Sequence, residues 1–313
     1  MGVALACLSH TPLLELGDQP RAEVRRSLDD AISELREFVL AYDPTLVVLF
    51  APDHYNGFFH DLMPPFCVGF DAVAVGDFDS QAGPLDVPAG TAAKLAQEVI
   101  HRDIDMAISR RMEVDHGAVQ PLEVLFGDIA AKPVIPIFVN SVAEPFTTMR
   151  RIRLMGAAVG SFVTDLTTER VLLVGSGGLS HDPPVPRWDT ATDEQREAML
   201  DGRHPTTAAR AARQQRVIDT ARAFAAGTAT IRELNPAWDN AFLDLLHRRA
   251  LSGADAMTPD QMAGDAGNSA HEVRTWLAAF SALSTASPAY TVHQRFYRAI
   301  PEYIAGFAVM AAR

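Results

Sequence analysis

Four histidines lie where an α/β protein would build a metal-binding or acid–base site. His10, His54 and His181 each follow a short apolar run that predicts a buried strand, and His116 lies a few residues beyond another such run. Open α/β sheets bind their ligands beyond the carboxyl ends of the strands. If these strands run parallel, the four histidines converge at one edge of the sheet. A single histidine after a strand is more often an ordinary turn residue, so the inference depends on the four together.

A glutamate late in the chain supplies a carboxylate that could complete a metal site. Glu272 lies in GNSAHEVRTW, at the start of a predicted helix. Two imidazoles and one carboxylate on one face of a metal favour non-haem Fe(II) and oxygen chemistry, but the same residue types also form catalytic zinc sites. Ser269 and Glu272 equally fit a capping box, in which the glutamate bonds to the helix N-terminus. The residues alone leave both the metal and the role of Glu272 open.

The first part of the chain alternates between strand and helix patterns. Apolar runs predict strands over residues 3–8, 45–51, 66–70, 104–109, 133–140 and 170–175, and helical spacing predicts helices over 21–42, 87–101 and 146–166. The prolines in 133–140 push that strand toward a sheet edge or a bulge. This alternation predicts an α/β fold, which we describe as a three-layer sandwich around a mixed, largely parallel central sheet.

The pattern changes after the proline-rich segment 183–186. From about residue 187 to 286 the chain reads as helical, with capping-box patterns that begin at Thr192 and Thr258. We interpret this region as a helical elaboration of one catalytic domain that spans residues 1–313. We expect residues 300–312 to return to the core as a helix.

Composition and charge restrict the class of protein. The chain has 313 residues and a formal net charge of -12, an acidic balance that argues against nucleic acid or an anionic membrane surface as partner. No stretch approaches the about 20 apolar residues of a membrane span, and the N-terminus lacks the basic start of a secretory signal. We therefore expect a cytoplasmic protein. Cys7 and Cys67 lie in apolar runs, which predicts two buried free thiols.

Several longer motifs resemble those of the class III extradiol dioxygenases. They are LSHTPL, VVLFAPDHYNGFF, DLMPPFCVG, VDHG followed by QPLE, GSGGLSHDPPVP and HEVRTWLAAF, and the likeness extends over nearly the whole chain. The resemblance implies Fe(II) as the cofactor, O2 and a small catechol as substrates, and assembly into a homo-oligomer. It implies two groups of site residues: iron ligands at His10, His54 and Glu272, and catalytic residues at His116, His181 and Asp115. Asp115 is expected to support His116.

The implied reaction is the opening of a catechol ring by O2 beside its pair of hydroxyl groups. A base must take a hydroxyl proton and an acid must protonate the oxygen that leaves when the O–O bond breaks; histidine suits both tasks because it titrates near neutrality. From the family likeness we assign the base to His181 and the acid to His116, and the two roles could be exchanged.

The expected substrate is a catechol with a short carboxylate side chain, such as 3-(2,3-dihydroxyphenyl)propionate or 2,3-dihydroxycinnamate, which would give a 2-hydroxy-6-oxonona-2,4-dienedioate-type product. Arg295 and Arg298 are candidates to bind the carboxylate, although exposed arginines that only pack their stems are as good an interpretation. Three alternatives stay open: another catechol such as protocatechuate, a zinc hydrolase that uses the same three ligands, and a non-catalytic partner subunit.

Overall fold

The computed structural model describes residues 2–313, which contain eleven strands and nine α-helices. The strands are β1 Gly2–Leu8, β2 Leu46–Ala51, β3 Phe66–Gly69, β4 Ala72–Val75, β5 Ala82–Pro84, β6 Ala107–Ser109, β7 Met112–Val114, β8 Val134–Val139, β9 Arg170–Ser176, β10 Val292–Ile300 and β11 Ala305–Ala312. The helices are α1 Ala22–Tyr42, α2 Ala89–His101, α3 His116–Phe126, α4 Met149–Asp165, α5 Asp193–Asp201, α6 Thr207–Ala225, α7 Pro236–His247, α8 Pro259–Ala266 and α9 Val273–Ala286. Among residues 2–313, no helix is long and apolar enough to cross a membrane.

Eight of the strands form one mixed sheet in the order β10-β11-β1-β9-β2-β8-β3-β6. Its centre is parallel, because β1 pairs with β9, β9 with β2, and β2 with β8 in the same direction. Antiparallel strands flank this centre: β11 against β1 on one side and β3 against β8 on the other. The carboxyl ends of β1, β2 and β9 therefore meet at one edge of the sheet.

Helices cover both faces of the sheet. Leu5 and Cys7 of β1 point into an apolar cluster with α2, α4 and α9, whereas Ala4 and Ala6 point into a second cluster with α1 and α3. Strands buried on both faces read as continuous apolar runs, which is why the central strands were predictable from the sequence. The predicted α/β three-layer sandwich with a mixed, largely parallel sheet is confirmed.

Helix α9 packs tightly against α4. A Cβ atom added at Gly156 would collide with the Ala278 carbonyl oxygen, and one added at Gly160 with the Ala282 carbonyl oxygen. The two helix backbones therefore approach one another at these glycines. This crossing holds α9 over the sheet and fixes the position of its first turn, which follows Glu272 directly.

Two predictions about secondary structure were wrong. Residues 300–312 do not form a helix: they contain the end of β10 and all of β11, whose eight residues are buried. A short apolar run buried on every side has no periodicity that distinguishes a strand from a helix. The strand predicted over 133–140 is β8, which lies inside the sheet and not at its edge. Pairing of β8 with β3 extends only from Ile137 to Val139, so Pro136 falls where the ladder has ended.

A second, three-stranded sheet in the order β5-β4-β7 was not predicted at all. Its strands are three or four residues long, too short for a clear period-two pattern. This small sheet matters for the site because it pairs β4 with β7. Asp77 follows β4, and Asp115 and His116 follow β7, so the pairing brings these three residues together.

Candidate active site

The four histidines converge as predicted from their places after the strands. His10 follows β1, His54 follows β2, His181 follows β9, and His116 begins α3. Ring nitrogens of His10, His54 and His116 all lie within 4.8 Å of one another. The rings of His54 and His116 are stacked, with 4.6 Å between their centroids.

Glu272 lies at the centre of this cluster. Its Oε1 is 3.1 Å from His54 Nε2 and 3.3 Å from His181 Nε2, and its Oε2 is 3.6 Å from His10 Nε2. The backbone N–H of Gly178 donates to Oε2 at 2.8 Å. Ser269 makes no side-chain cap hydrogen bond, so the capping-box interpretation of Glu272 is wrong.

Hydrogen bonds on the far side of each imidazole orient the rings. His10 Nδ1 lies 2.9 Å from the Oγ of Ser176, which itself donates to the carbonyl of Gly117. Because that hydroxyl proton is already used, Ser176 accepts from His10, and the His10 Nε2 lone pair is left facing Glu272. His54 Nδ1 bonds to an oxygen of Asp115 at 3.0 Å, which leaves its Nε2 facing Glu272 as well. Outer contacts of this kind fix the tautomer and the orientation of metal-binding histidines.

Asp115 does not support His116 as the sequence suggested. Its Oδ2 accepts from the backbone N–H of His54 at 2.7 Å and from the amide of Asn56 at 3.0 Å, in addition to His54 Nδ1. Its Oδ1 caps α3 through the N–H of Gly117. Asp115 is thus the supporting group of His54.

The partner of His116 is Asp77, a residue that the sequence analysis missed. Asp77 accepts from the backbone N–H of His116 through Oδ1 at 2.8 Å and from His116 Nδ1 through Oδ2 at 2.6 Å. His116 therefore keeps Nε2 as its free ring nitrogen. Nothing in GDFDS marks Asp77 as functional, since an acidic residue in a turn after a short strand is common; only the missed strand pair β4–β7 would have brought it near His116.

Burial and neighbouring charges shift the pKa values of these side chains in opposite directions. Burial lowers the pKa of His10 to about 3, so this imidazole is neutral. Burial would also lower the pKa of His54, but the adjacent Asp115 outweighs it and raises that pKa well above its usual value. Burial would raise the pKa of Glu272, yet the nearby His181 and the hydrogen bonds from His181 and His54 hold that pKa well below its usual range. The carboxylate is therefore ionised and buried, with only 1% of its surface exposed.

These residues fit a divalent metal ion. A neutral imidazole, a second imidazole held by a carboxylate, and a buried ionised carboxylate point their donor atoms at a common region, and each is oriented from behind. No Lys or Arg within residues 2–313 forms an ion pair with Glu272; its neighbours are imidazoles, which can lose a proton and bind a cation in its place. The donor types are shared by iron and zinc sites.

A cavity of about 290 Å³ opens from the histidine cluster. Its apolar lining residues include Pro183, Val185, Met199, Val217 and Ile304. Helix α6 contributes polar lining residues as well, namely Arg210, Arg213 and Arg216. Helix α6, which belongs to the helical region predicted after the proline-rich segment, therefore lines the site.

The two arginines that the sequence singled out do not line this cavity. Arg295 is committed elsewhere, because its Nη1 bonds to Asp244 at 2.5 Å and its Nη2 contacts Asn240. Arg298 is exposed on β10. The expectation that either one binds a substrate carboxylate in this cavity is wrong.

Comparisons with known proteins identify the family of the chain. Residues 4–308 match the family model described as the catalytic LigB subunit of aromatic ring-opening dioxygenase. The chain is 57% identical to the 2,3-dihydroxyphenylpropionate/2,3-dihydroxicinnamic acid 1,2-dioxygenase of Rhodococcus rhodochrous, over 100% of this chain and 98% of that protein. The proteins of the same name from Rhodococcus globerulus and Mycolicibacterium vanbaalenii are each 54% identical, over 100% and 99% of this chain and 98% and 97% of their own lengths.

Proposed function

Since the chain belongs to the family of the catalytic LigB subunit of aromatic ring-opening dioxygenases, we propose that it uses Fe(II) and O2 to cleave 3-(2,3-dihydroxyphenyl)propionate or 2,3-dihydroxycinnamate. The observation that carries the proposal is the convergence of His10, His54 and Glu272, three residues far apart in the chain, at one edge of the sheet. In this proposal the whole chain, residues 1–313, acts as a single catalytic domain.

We assign the metal to His10, His54 and Glu272. These three residues would hold the metal, which would supply a site for the catechol and O2 and would lower the pKa of a bound hydroxyl. Asp115 keeps the Nδ1 proton of His54 engaged, and Ser176 does the same for His10. Both contacts direct an Nε2 lone pair toward the metal position.

His181 and His116 are the proposed acid–base pair. The His181 Nδ1–H donates to the Leu179 carbonyl at 2.9 Å, so its Nε2 is the nitrogen that can take a proton from a catechol hydroxyl. The Nε2 of His116 is free because Nδ1 is held by Asp77, and it can deliver a proton to the leaving oxygen. The two histidines approach the site from different elements, β9 and α3, which suits a reaction that needs a base on one group and an acid on another.

The substrate proposal has two supports. Relatives at 51–57% identity over the full chain carry names that specify the propionate and the cinnamate. The cavity itself joins an apolar wall to several arginines, which fits an aromatic ring with an anionic side chain. Protocatechuate and other catechols are the competing substrates.

The test is oxygen uptake by protein loaded anaerobically with Fe(II). We expect one O2 consumed per 3-(2,3-dihydroxyphenyl)propionate and the appearance of a yellow ring-opened product, with lower kcat/KM for protocatechuate. His116→Ala and His181→Ala should retain iron but lose ring cleavage by about 10²- to 10⁴-fold. Zinc in the purified protein together with no oxygen uptake after iron loading would favour a hydrolase and reject the proposal.

Two further expectations accompany the proposal, namely a homo-oligomeric assembly and a cytoplasmic location. Light scattering coupled to gel filtration measures the first directly, and fractionation of the native cells measures the second. Activity of the isolated chain, with no added subunit, would exclude the alternative of a non-catalytic partner.

A further inference from the structure

Three arginines of α6 line the active-site cavity without an acidic partner. Arg210, Arg213 and Arg216 are spaced three residues apart, so they lie on one face of the helix. No Asp or Glu within residues 2–313 forms an ion pair with any of them, whereas Arg222 on the same helix pairs with Asp18. In a protein with a formal net charge of -12, unpaired guanidinium groups gathered in one cavity indicate an anionic ligand.

The three arginines differ in what they already bind. Arg210 donates from Nη1 to the carbonyls of Val75 and Gly76, so it mainly anchors the turn that leads to Asp77. Arg213 donates from Nη2 to the carbonyl of His54 at 2.6 Å, and its Nε and Nη1 have no partner among the described residues. The Arg216 guanidinium makes no hydrogen bond to any residue in the range 2–313, and the side chain is exposed and lines the cavity.

Arg213 lies at a suitable distance from the reacting end of the cavity. Its guanidinium carbon is 5.9 Å from the centre of the Phe78 ring, and that ring is 4.9 Å from the ring of His116. Phe78 therefore contacts both Arg213 and His116, and Arg213 itself bonds to the backbone of His54.

We infer that Arg213 and Arg216 bind the side-chain carboxylate of the substrate and make this enzyme selective for catechols with an anionic tail. The inference rests on the proposed function and names the residues that determine its substrate. A guanidinium presents two parallel N–H groups to a carboxylate, and Arg213 keeps Nε and Nη1 available for that geometry. Its remaining bond to His54 fixes the guanidinium next to the site.

The experiment compares two substrates that differ only in charge at the end of the side chain. They are 3-(2,3-dihydroxyphenyl)propionate and 3-propylcatechol, and the measured quantity is the ratio of their kcat/KM values. We expect Arg213→Gln and Arg216→Gln each to lower this ratio by about 10- to 100-fold, as for loss of a charge-assisted hydrogen bond. The ratio is taken within each variant, so partial loss of folded or metal-loaded protein cancels.

Arg222→Gln is the matched control, because Arg222 lies on the same helix outside the cavity. Its ratio should equal that of the unsubstituted enzyme. Arg216→Lys keeps the charge but not the planar pair of donors. Its kcat/KM ratio should therefore fall between that of the unsubstituted enzyme and that of Arg216→Gln. Unchanged ratios in both glutamine variants, or an equal loss of activity toward both catechols, would overturn the inference.

A binding measurement separates this inference from the proposed reaction. Calorimetric titration with 3-phenylpropionate, which lacks the catechol hydroxyls, needs no turnover. Binding that weakens in Arg213→Gln and Arg216→Gln, while 3-phenylpropionamide binds all forms alike, supports the carboxylate site even if neither catechol is cleaved. Equal affinity for the acid and the amide in every form would reject the site, whatever the outcome of the oxygen-uptake assay.

Discussion

Asp77 controls which nitrogen of His116 can act in the site. Its carboxylate accepts from both the backbone N–H and the Nδ1 of His116, so one side chain sets the position and the tautomer of the ring. The arrangement is parallel to that of Asp115 and His54. Two adjacent residues, Asp115 and His116, thus belong to two different aspartate–histidine pairs.

Asp77→Asn should therefore lower kcat for ring cleavage by about 10- to 100-fold and change the pH–rate profile. A neutral asparagine no longer stabilises the imidazolium of His116, which is the form in which Nε2 has a proton to deliver. Steady-state kinetics across pH, with metal analysis, would measure this. Asp79→Asn is the control, since Asp79 is exposed and makes no hydrogen bond to the described residues. A variant with normal kcat and an unchanged pH profile would show that Asp77 has only a structural role.

The two cysteines provide a second test at this scale. Both are buried and unpaired, as predicted, and burial raises the pKa of Cys67 to about 12 and that of Cys7 further. At pH 8 both thiols stay protonated, and the thiolate is the reactive form. The native protein should therefore react slowly with Ellman's reagent and release two equivalents only when unfolded in guanidinium chloride. Fast reaction of one equivalent in the native state would contradict the burial of that thiol.

Residue types and places predicted part of the site. Each of the four histidines and Glu272 stands in a compact motif after a strand or before a helix, so their convergence followed from the parallel sheet. The proposed roles of Asp77 and Arg213 could not be predicted in this way, because each residue acts through a contact to a segment distant in the chain. Asp77 reaches α3 through the unpredicted small sheet, and Arg213 reaches the carbonyl of His54 from α6. No local pattern records such contacts.

At the scale of elements, the crossing of α4 and α9 positions Glu272, the carboxylate of the proposed metal site. Glu272 directly precedes α9, and α9 is held against α4 where Gly156 and Gly160 allow their backbones to meet. Trp276 adds a hydrogen bond from its Nε1 to the Gly177 carbonyl at 3.1 Å, which ties the first turn of α9 to the loop after β9. The packing of two helices therefore determines where the carboxylate lies.

Gly156→Ala should destabilise the fold, because the new methyl group would overlap the Ala278 carbonyl and force the helices apart. Overpacking of this kind typically costs about 1–3 kcal/mol, and a displaced α9 would also weaken metal binding at Glu272. Urea unfolding followed by circular dichroism gives the change in free energy. Gly264→Ala is the matched control: it lies in α8 with open space around its Cβ position, where alanine favours the helix by about 1 kcal/mol. Equal stability of the two variants would mean that the helices tolerate separation.

Element types were predictable where length or periodicity was decisive. The long helices α1 and α4 and the buried strands β2 and β9 agree with the sequence analysis within a few residues. β11 was mistaken for a helix because all its residues are apolar and buried, so the run has no polar face. The prolines of β8 predicted a sheet edge or a bulge, but an interior strand can hold Pro136 at the point where a neighbouring strand stops pairing.

At the scale of the whole molecule, four buried acidic side chains lie at one edge of the sheet. Asp53, Asp77, Asp115 and Glu272 are all buried there, and the pKa of Asp53 rises to about 7 because of its burial and the proximity of Asp115. Histidines, and not arginines or lysines, neighbour most of these carboxylates. Burying these carboxylates without a cation costs free energy of folding. We therefore expect metal binding and folding to be coupled.

Removal of the metal should therefore lower the thermal stability of the protein. A ligand present at 100 times its Kd stabilises the folded state by about 2.7 kcal/mol, so anaerobic Fe(II) should raise Tm by several degrees over the chelated form, as measured by scanning calorimetry. Glu272→Gln should lose this increase, because it removes the charge that attracts the ion. His116→Gln should keep it, since we assign His116 to proton transfer and not to the metal. A Tm increase that survives in Glu272→Gln but disappears in His116→Gln would exchange those two assignments, and it would move the metal toward the Asp77 side of the cavity.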